Sequence, residues 1–171
     1  MAKIKSTLDL VMERTRNLSM TEEEREALRR KESIDKVRGW VQKLIDHKMT
    51  TAELGSSLRP DAAAYPGLRD ILKEELMSHI DPDKENDLIF QALEEALELD
   101  TTPFRESIMA YHNRSDLHRH EHLERLRSEL RKRGIYGEAV IPNLEHDEAW
   151  IASSKKLKEE FKDQLKTLQG I

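Results

Sequence analysis

Cysteine is absent from all 171 residues. That excludes disulfides, thiol nucleophiles and cysteine-bearing zinc sites. Aromatic residues are scarce at 5%, and hydrophobic residues, at 37%, fall below the usual globular share. Thin helical layers with wide solvated faces are therefore expected in place of a thick core. The six glycines are scattered, so no glycine-rich loop can cradle a phosphate, and no cofactor is expected. No apolar run approaches the ~20 residues that span a bilayer. The opening stretch MAKIKSTLDLVMERT has no apolar secretory segment. A cytoplasmic protein without membrane association is the expectation. Charged residues make up 37% and sum to −5, a balance that repels nucleic acid and anionic membranes.

What is present reads as helix after helix. Ile4, Leu8, Val11, Met12 and Thr15 keep helical spacing and predict a first helix ending near Asn17. Thr21-Glu22-Glu23-Glu24 is a capping box: the threonine oxygen accepts an N–H three residues on, and the glutamate answers. It opens a helix to about Lys48, with Ile34, Val37, Val41, Leu44 and Ile45 on the buried face. The first half, EEEREALRRKE, carries only a narrow seam of Ala27, Leu28 and Ile34. Gly39 predicts a close helix approach or a bend. Thr50-Thr51-Ala52-Glu53 is a second capping box, with a helix to Leu58 and a break at Arg59-Pro60-Asp61. Pro66 precedes a helix on Leu68, Ile71, Leu72, Leu76 and Ile80. Asp81-Pro82 predicts the start of the most apolar helix, Leu88 to Leu97, expected nearest the centre.

The stretch 102–134 has an N-cap candidate in Thr102, a proline suited to the first helical position in Pro103, and a left-handed stop in Gly134. A tight hinge predicts an antiparallel hairpin with the helix before it. Stepping 100° per residue puts Ile108, Leu123, Leu126 and Leu130 on one face, with His112, Ser115 and Arg119 between them. Asn113–Asp116 favours caps and turns, so a break is expected there. Ile135–Asn143 is too apolar for a free loop and too rich in glycine and proline for a helix. It is expected to be an ordered arm that buries Val140 or Ile141. Trp150, Ile151, Ser154, Leu157, Phe161, Leu165 and Leu168 mark a last helix. Met12, Met20, Met49, Met77 and Met109 are expected to fill the core.

Three constellations bear on function. His118-Arg119-His120-Glu121-His122 matches H-x-x-E-H and resembles the zinc motif of the inverzincin metalloproteases. The resemblance covers these five residues. It implies His118 and His122 as metal ligands and Glu121 as the base that activates water. The family also needs a distal acidic ligand, and only charged-helix carboxylates follow. Arg125, Arg127, Arg131, Lys132 and Arg133 form a basic run, which would suit a nucleic-acid-associated regulator. Glu121, Glu124 and Glu129 interleave with it, and no stacking aromatic stands beside it in sequence. Val41–Leu58 has the order helix, turn, helix, yet TTAELGSSL brings no cation before Arg59 to read bases.

The sequence thus predicts an all-α bundle of about six helices with one extended arm at 135–143. It forms a single domain over 1–171, with N-terminal helices in 1–48 that project or dimerise and a helical core in 50–171. A structural or protein–protein interaction role, through self-association or another protein partner, leads over a metal-dependent hydrolase and a nucleic-acid regulator. Catalysis is not the favoured class.

Overall fold

The structure is a computed structural model and describes residues 21–169. The helix expected over Ile4–Asn17, with Met12 and Met20, lies outside the described residues. Six α-helices follow: α1 (Glu22–Ile45), α2 (Thr51–Ala64), α3 (Leu68–Ser78), α4 (Asp87–Leu97), α5 (Thr102–Lys132) and α6 (Glu148–Gln169). A single 3-10 turn, Leu144–His146, precedes α6, and no strand occurs among the described residues. The expected all-α bundle of about six helices is what forms.

Local chemistry accounts for the ends. Both capping boxes are made: Thr21 and Thr50 accept from Glu24 and Glu53, whose side chains return the bond. Gly134 takes φ +77° at the end of α5. There its N–H donates to Arg131 O and the Ile135 N–H to Leu130 O, both at 3.0 Å, which satisfies carbonyls the helix leaves open. His47 does the same after α1 with φ +55°, unusual for a residue that has a Cβ.

One contiguous core draws on all six helices. α1 packs on α3, α2 on α4, and α5 along α6. α4 gives the core six buried residues, Ile89, Phe90, Ala92, Leu93, Ala96 and Leu97, and so holds the central place expected of it. Each of its large side chains contributes about 1.5–3 kcal/mol on burial. The close helix approach sits at Gly55, where an added Cβ would stand 3.7 Å from Ala96 Cα; Gly39 is exposed with nothing within 4 Å.

Several expectations are corrected. α2 does not stop at Leu58 but runs through Pro60 to Ala64. Pro60 and Ser56, whose carbonyl loses its N–H partner, are both exposed, so water can replace that bond, while Ala62 and Tyr65 beyond still pack on the core. α4 starts at Asp87, not at Asp81-Pro82. Buried Asn86 plugs the preceding loop: its Oδ1 accepts from Asp81 N (3.0 Å), and its Nδ2 donates to Asp81 O and Lys84 O (2.8 Å each). The cap of α5 is buried Thr101, not Thr102.

No break interrupts α5 at Asn113–Asp116. Asn113 and Asp116 are exposed and point to water, so they do not compete for backbone groups, and α6 supports the helix from the other side. The expected hairpin of α4 and α5 holds in direction, with Arg105 reaching Asp87 (3.3 Å) and Tyr111 Oη donating to Asp83 (3.2 Å). The close backbone partner of α5, however, is α6. In the arm, Val140 is half-buried and Pro142 buried, while Tyr136 is 77% and Ile141 84% exposed. A turn closed by Val140 N on Gly137 O (3.2 Å) bends the segment, so it is not extended throughout. Met77 is buried and Met49 packs against the core, but Met109 is 65% exposed.

Two stretches stand away from this core. In α1 every residue from Glu22 to Glu32 is exposed, and burial begins in earnest at Val37. In α5 the core residues are Phe104 and Tyr111; the following three turns and more carry only half-buried side chains against α6.

Candidate functional site

The polar seam between α5 and α6 gathers most of the chemistry singled out in the sequence. Phe104, Ile108, Tyr111, Ser115, His118 and His122 are buried or half-buried and alternate in spacings of four and three. That is a 3.5-residue stripe, the repeat of helices that wrap one another. A straight 3.6 period drawn through the leucines instead puts His112 and Arg119 in the seam, and both are exposed. α6 runs antiparallel. Tyr111 meets Phe161 with ring centroids 5.5 Å apart, and Ser107 meets Gln164 (3.5 Å). Arg114 bonds Glu160.

Farther along, His118 Nδ1 lies 2.9 Å from Ser153 Oγ. One turn on, His122 Nδ1 lies 3.2 Å from Asp147 Oδ2, and its ring stands edge-on to Trp150 at 5.7 Å. Arg125 Nη2 donates to the same Asp147 oxygen (2.5 Å), and its Nη1 to Glu129 (2.9 Å). The Asp147 side chain is about nine-tenths covered. The hydrogen bond from Arg125 holds its carboxyl below the usual range; partial burial opposes this, and His122 adds to it. Arg125 is raised in turn, chiefly by its bond to Asp147.

His118 and His122 therefore share the side that faces α6, but each is committed to a different partner. Glu121, the base implied by the inverzincin resemblance, is exposed one residue off the seam. Among the described residues no three histidine or carboxylate side chains converge on a point that could hold a metal ion. A hydrolytic triad is not assembled either: the serine sits on one histidine and the carboxylate on the other. What the arrangement does is fix register. A slip of one turn would separate both histidines from their partners and leave Asp147 without its cation.

The basic run is divided. Arg125 and Arg127 are spent on Asp147, Glu129 and Glu124. Arg131, Lys132 and Arg133 carry no ion pair among the described residues. An aromatic does stand beside them: Tyr136 joins Arg127, Arg131, Glu138 and Val140 around an open cleft of about 630 Å³. The glutamates keep the surface from being continuously basic. α1, the turn after it and α2 keep the helix, turn, helix order, and Glu53 and Ser56 stand on the exposed side of α2.

Ser153, Asp147 and Trp150 escaped the sequence reading as partners. The 3.5 spacing of Trp150, Ser154, Leu157 and Phe161 was the available signal, since it matches the stripe on α5. No family model matches the chain, and no curated protein or solved structure does so either.

Proposed function

We propose that this is a structural protein that works by docking helices, with the exposed half of α1 as its docking surface and protein as its partner. One observation carries the reading. Glu22 to Glu32 is regular helix with both capping bonds made, yet every side chain in it is exposed. The stretch is held as helix by its cap and by continuity with the packed half of α1, with no packing of its own, so a partner that covers it would add stability. Leu28, 44% exposed, and Ala27 beside it form a narrow apolar seam of the width that suits a single partner helix. The seam of α5 and α6 supports the same reading, because its histidines, serine and aspartate act on each other. Self-association is the first form to test. Sedimentation of the full chain at micromolar to submillimolar concentration is expected to give a species larger than the monomer, and Leu28→Asp is expected to weaken it at least tenfold. A wild-type chain that stays monomeric throughout overturns self-association.

A further inference from the structure

We infer that the exposed half of α1 docks on the same stretch of a second copy, antiparallel, about a two-fold axis between Ala27 and Leu28. This rests on the self-association reading above and adds its orientation and register.

The charges of the stretch are segregated. Glu22, Glu23, Glu24 and Glu26 come first, with Arg25 the one cation among them; Arg29, Arg30 and Lys31 follow, with Glu32 the one acid after them. Side by side in parallel, two copies would set acid against acid and base against base. Reversed, the acidic turn of each lies along the basic turn of the other. Such a contact is self-complementary and closes after two copies. The cations are available for it. Within the stretch the ion pair formed is Arg25 with Glu22 (3.2 Å), and Arg29, Arg30 and Lys31 have none among the described residues.

The helical face agrees. At 100° per residue, Glu24, Ala27, Leu28 and Lys31 share one side. With the axis between Ala27 and Leu28, each Ala27 meets the other copy's Leu28, and each Glu24 meets the other copy's Lys31. Alanine at the crossing lets the backbones approach, and leucine fills the space.

The far end of the contact also has a seat. In this register the first turn of one copy reaches the level of Glu32 and Ser33 of the other. There a cleft of about 420 Å³ opens between α1 and the end of α2, with Arg29 and Lys36 on one wall and Tyr65 and Leu68 opposite. Lys36 is held there by Asp61 (2.5 Å) and Glu32 lines the same cleft, so Arg29 is the cation that stands without an ion pair among the described residues to meet the incoming turn. The docked length is thus longer than the exposed stretch alone, about 16 Å for eleven residues.

Charge reversal tests this in the full chain. One variant carries Arg30→Glu and Lys31→Glu; the other carries Glu23→Lys and Glu24→Lys, which gives up the glutamate half of the capping box and keeps the bond from the Glu24 N–H to Thr21. Each alone is expected to sediment as monomer, with unchanged melting as the control for folding. An equal mixture is expected to recover the wild-type species. Recovery could not come from two variants that had merely unfolded. A Lys31→Cys chain, in this otherwise cysteine-free protein, is expected not to form its own disulfide dimer. If the wild type associates but each reversed variant associates equally well, the docking site is elsewhere and this inference is wrong, while the broader reading stands. A Lys31→Cys dimer formed on oxidation overturns the antiparallel register. A wild type that never associates overturns both.

Discussion

Asn86 shows how much one polar side chain can decide. Asp81-Pro82 has the residue types of a helix start, yet α4 begins five residues later because Asn86 takes three backbone groups of the loop for itself. Its burial makes these bonds matter, since no water replaces them. Asn86→Ala would leave the Asp81 N–H and the Lys84 carbonyl unpaired, while Asp81 O keeps the Lys84 N–H (3.1 Å), and is expected to cost about 2 kcal/mol. Asn86→Asp keeps the acceptor but sets a buried carboxylate oxygen against those two carbonyls, and should cost at least as much at neutral pH. Urea unfolding followed by circular dichroism measures both, and an unshifted midpoint for the alanine variant would refute this account. Nothing in the residue types around Asn86 announces the plug, because composition alone does not say whether an asparagine faces water or backbone. Caps that use adjacent residues, such as Thr21 with Glu24 and Gly134 with Leu130, were legible because their whole geometry is local.

The α5–α6 pair shows the same limit for elements. The residues that bound α5, Pro103 and Gly134, were readable; its continuity through Asn113–Asp116 depends on α6 and was not. The face was misplaced for a related reason. Leucines guided the stripe, whereas the middle of the seam is built from His118, His122 and Ser115. That polar middle predicts a pH response. The folded value of Asp147 is lowered, so its contribution to stability is complete above the ordinary aspartate value of about 3.9 and is lost as pH falls through the lower folded value. The far end of the seam is expected to loosen in strong acid while the core endures. In NMR spectra, the resonances of His118, His122 and Ser153 should shift together below that point in the wild type. In Asp147→Asn the seam should already be loosened at neutral pH and the acid step absent. An unchanged acid transition in that variant would remove Asp147 as its cause.

At the scale of the whole molecule, stability is expected to be graded. Burial is concentrated where α1 beyond Val37, α2, α3 and α4 meet the near halves of α5 and α6. Glu22 to Glu32 has no buried residue, and α5 beyond Tyr111 has none. Segments that bury little open locally, before the molecule unfolds. Amides of Val37–Leu44 and Ile89–Leu97 are expected to exchange most slowly, near the rate of global unfolding. In the undocked monomer, those of Glu22–Lys31 and Leu123–Lys132 should exchange at least tenfold faster. Equal protection throughout in a monomer would show that these stretches are part of the cooperative unit. The fold class was legible because it follows from the periods and caps of each segment. Which segments stand clear of the core was legible only for α1, whose charge density announces it.

The placement of the two tryptophans follows this division. Trp40 is 9% exposed in the core, with Lys36 over its ring at 5.3 Å. Trp150 lies half-exposed against His122, where α6 begins. The chain thus carries one indole in each part, and their fluorescence distinguishes them without any label. Trp150→Phe leaves an emission that follows the core alone, and Trp40→Phe one that follows the hairpin.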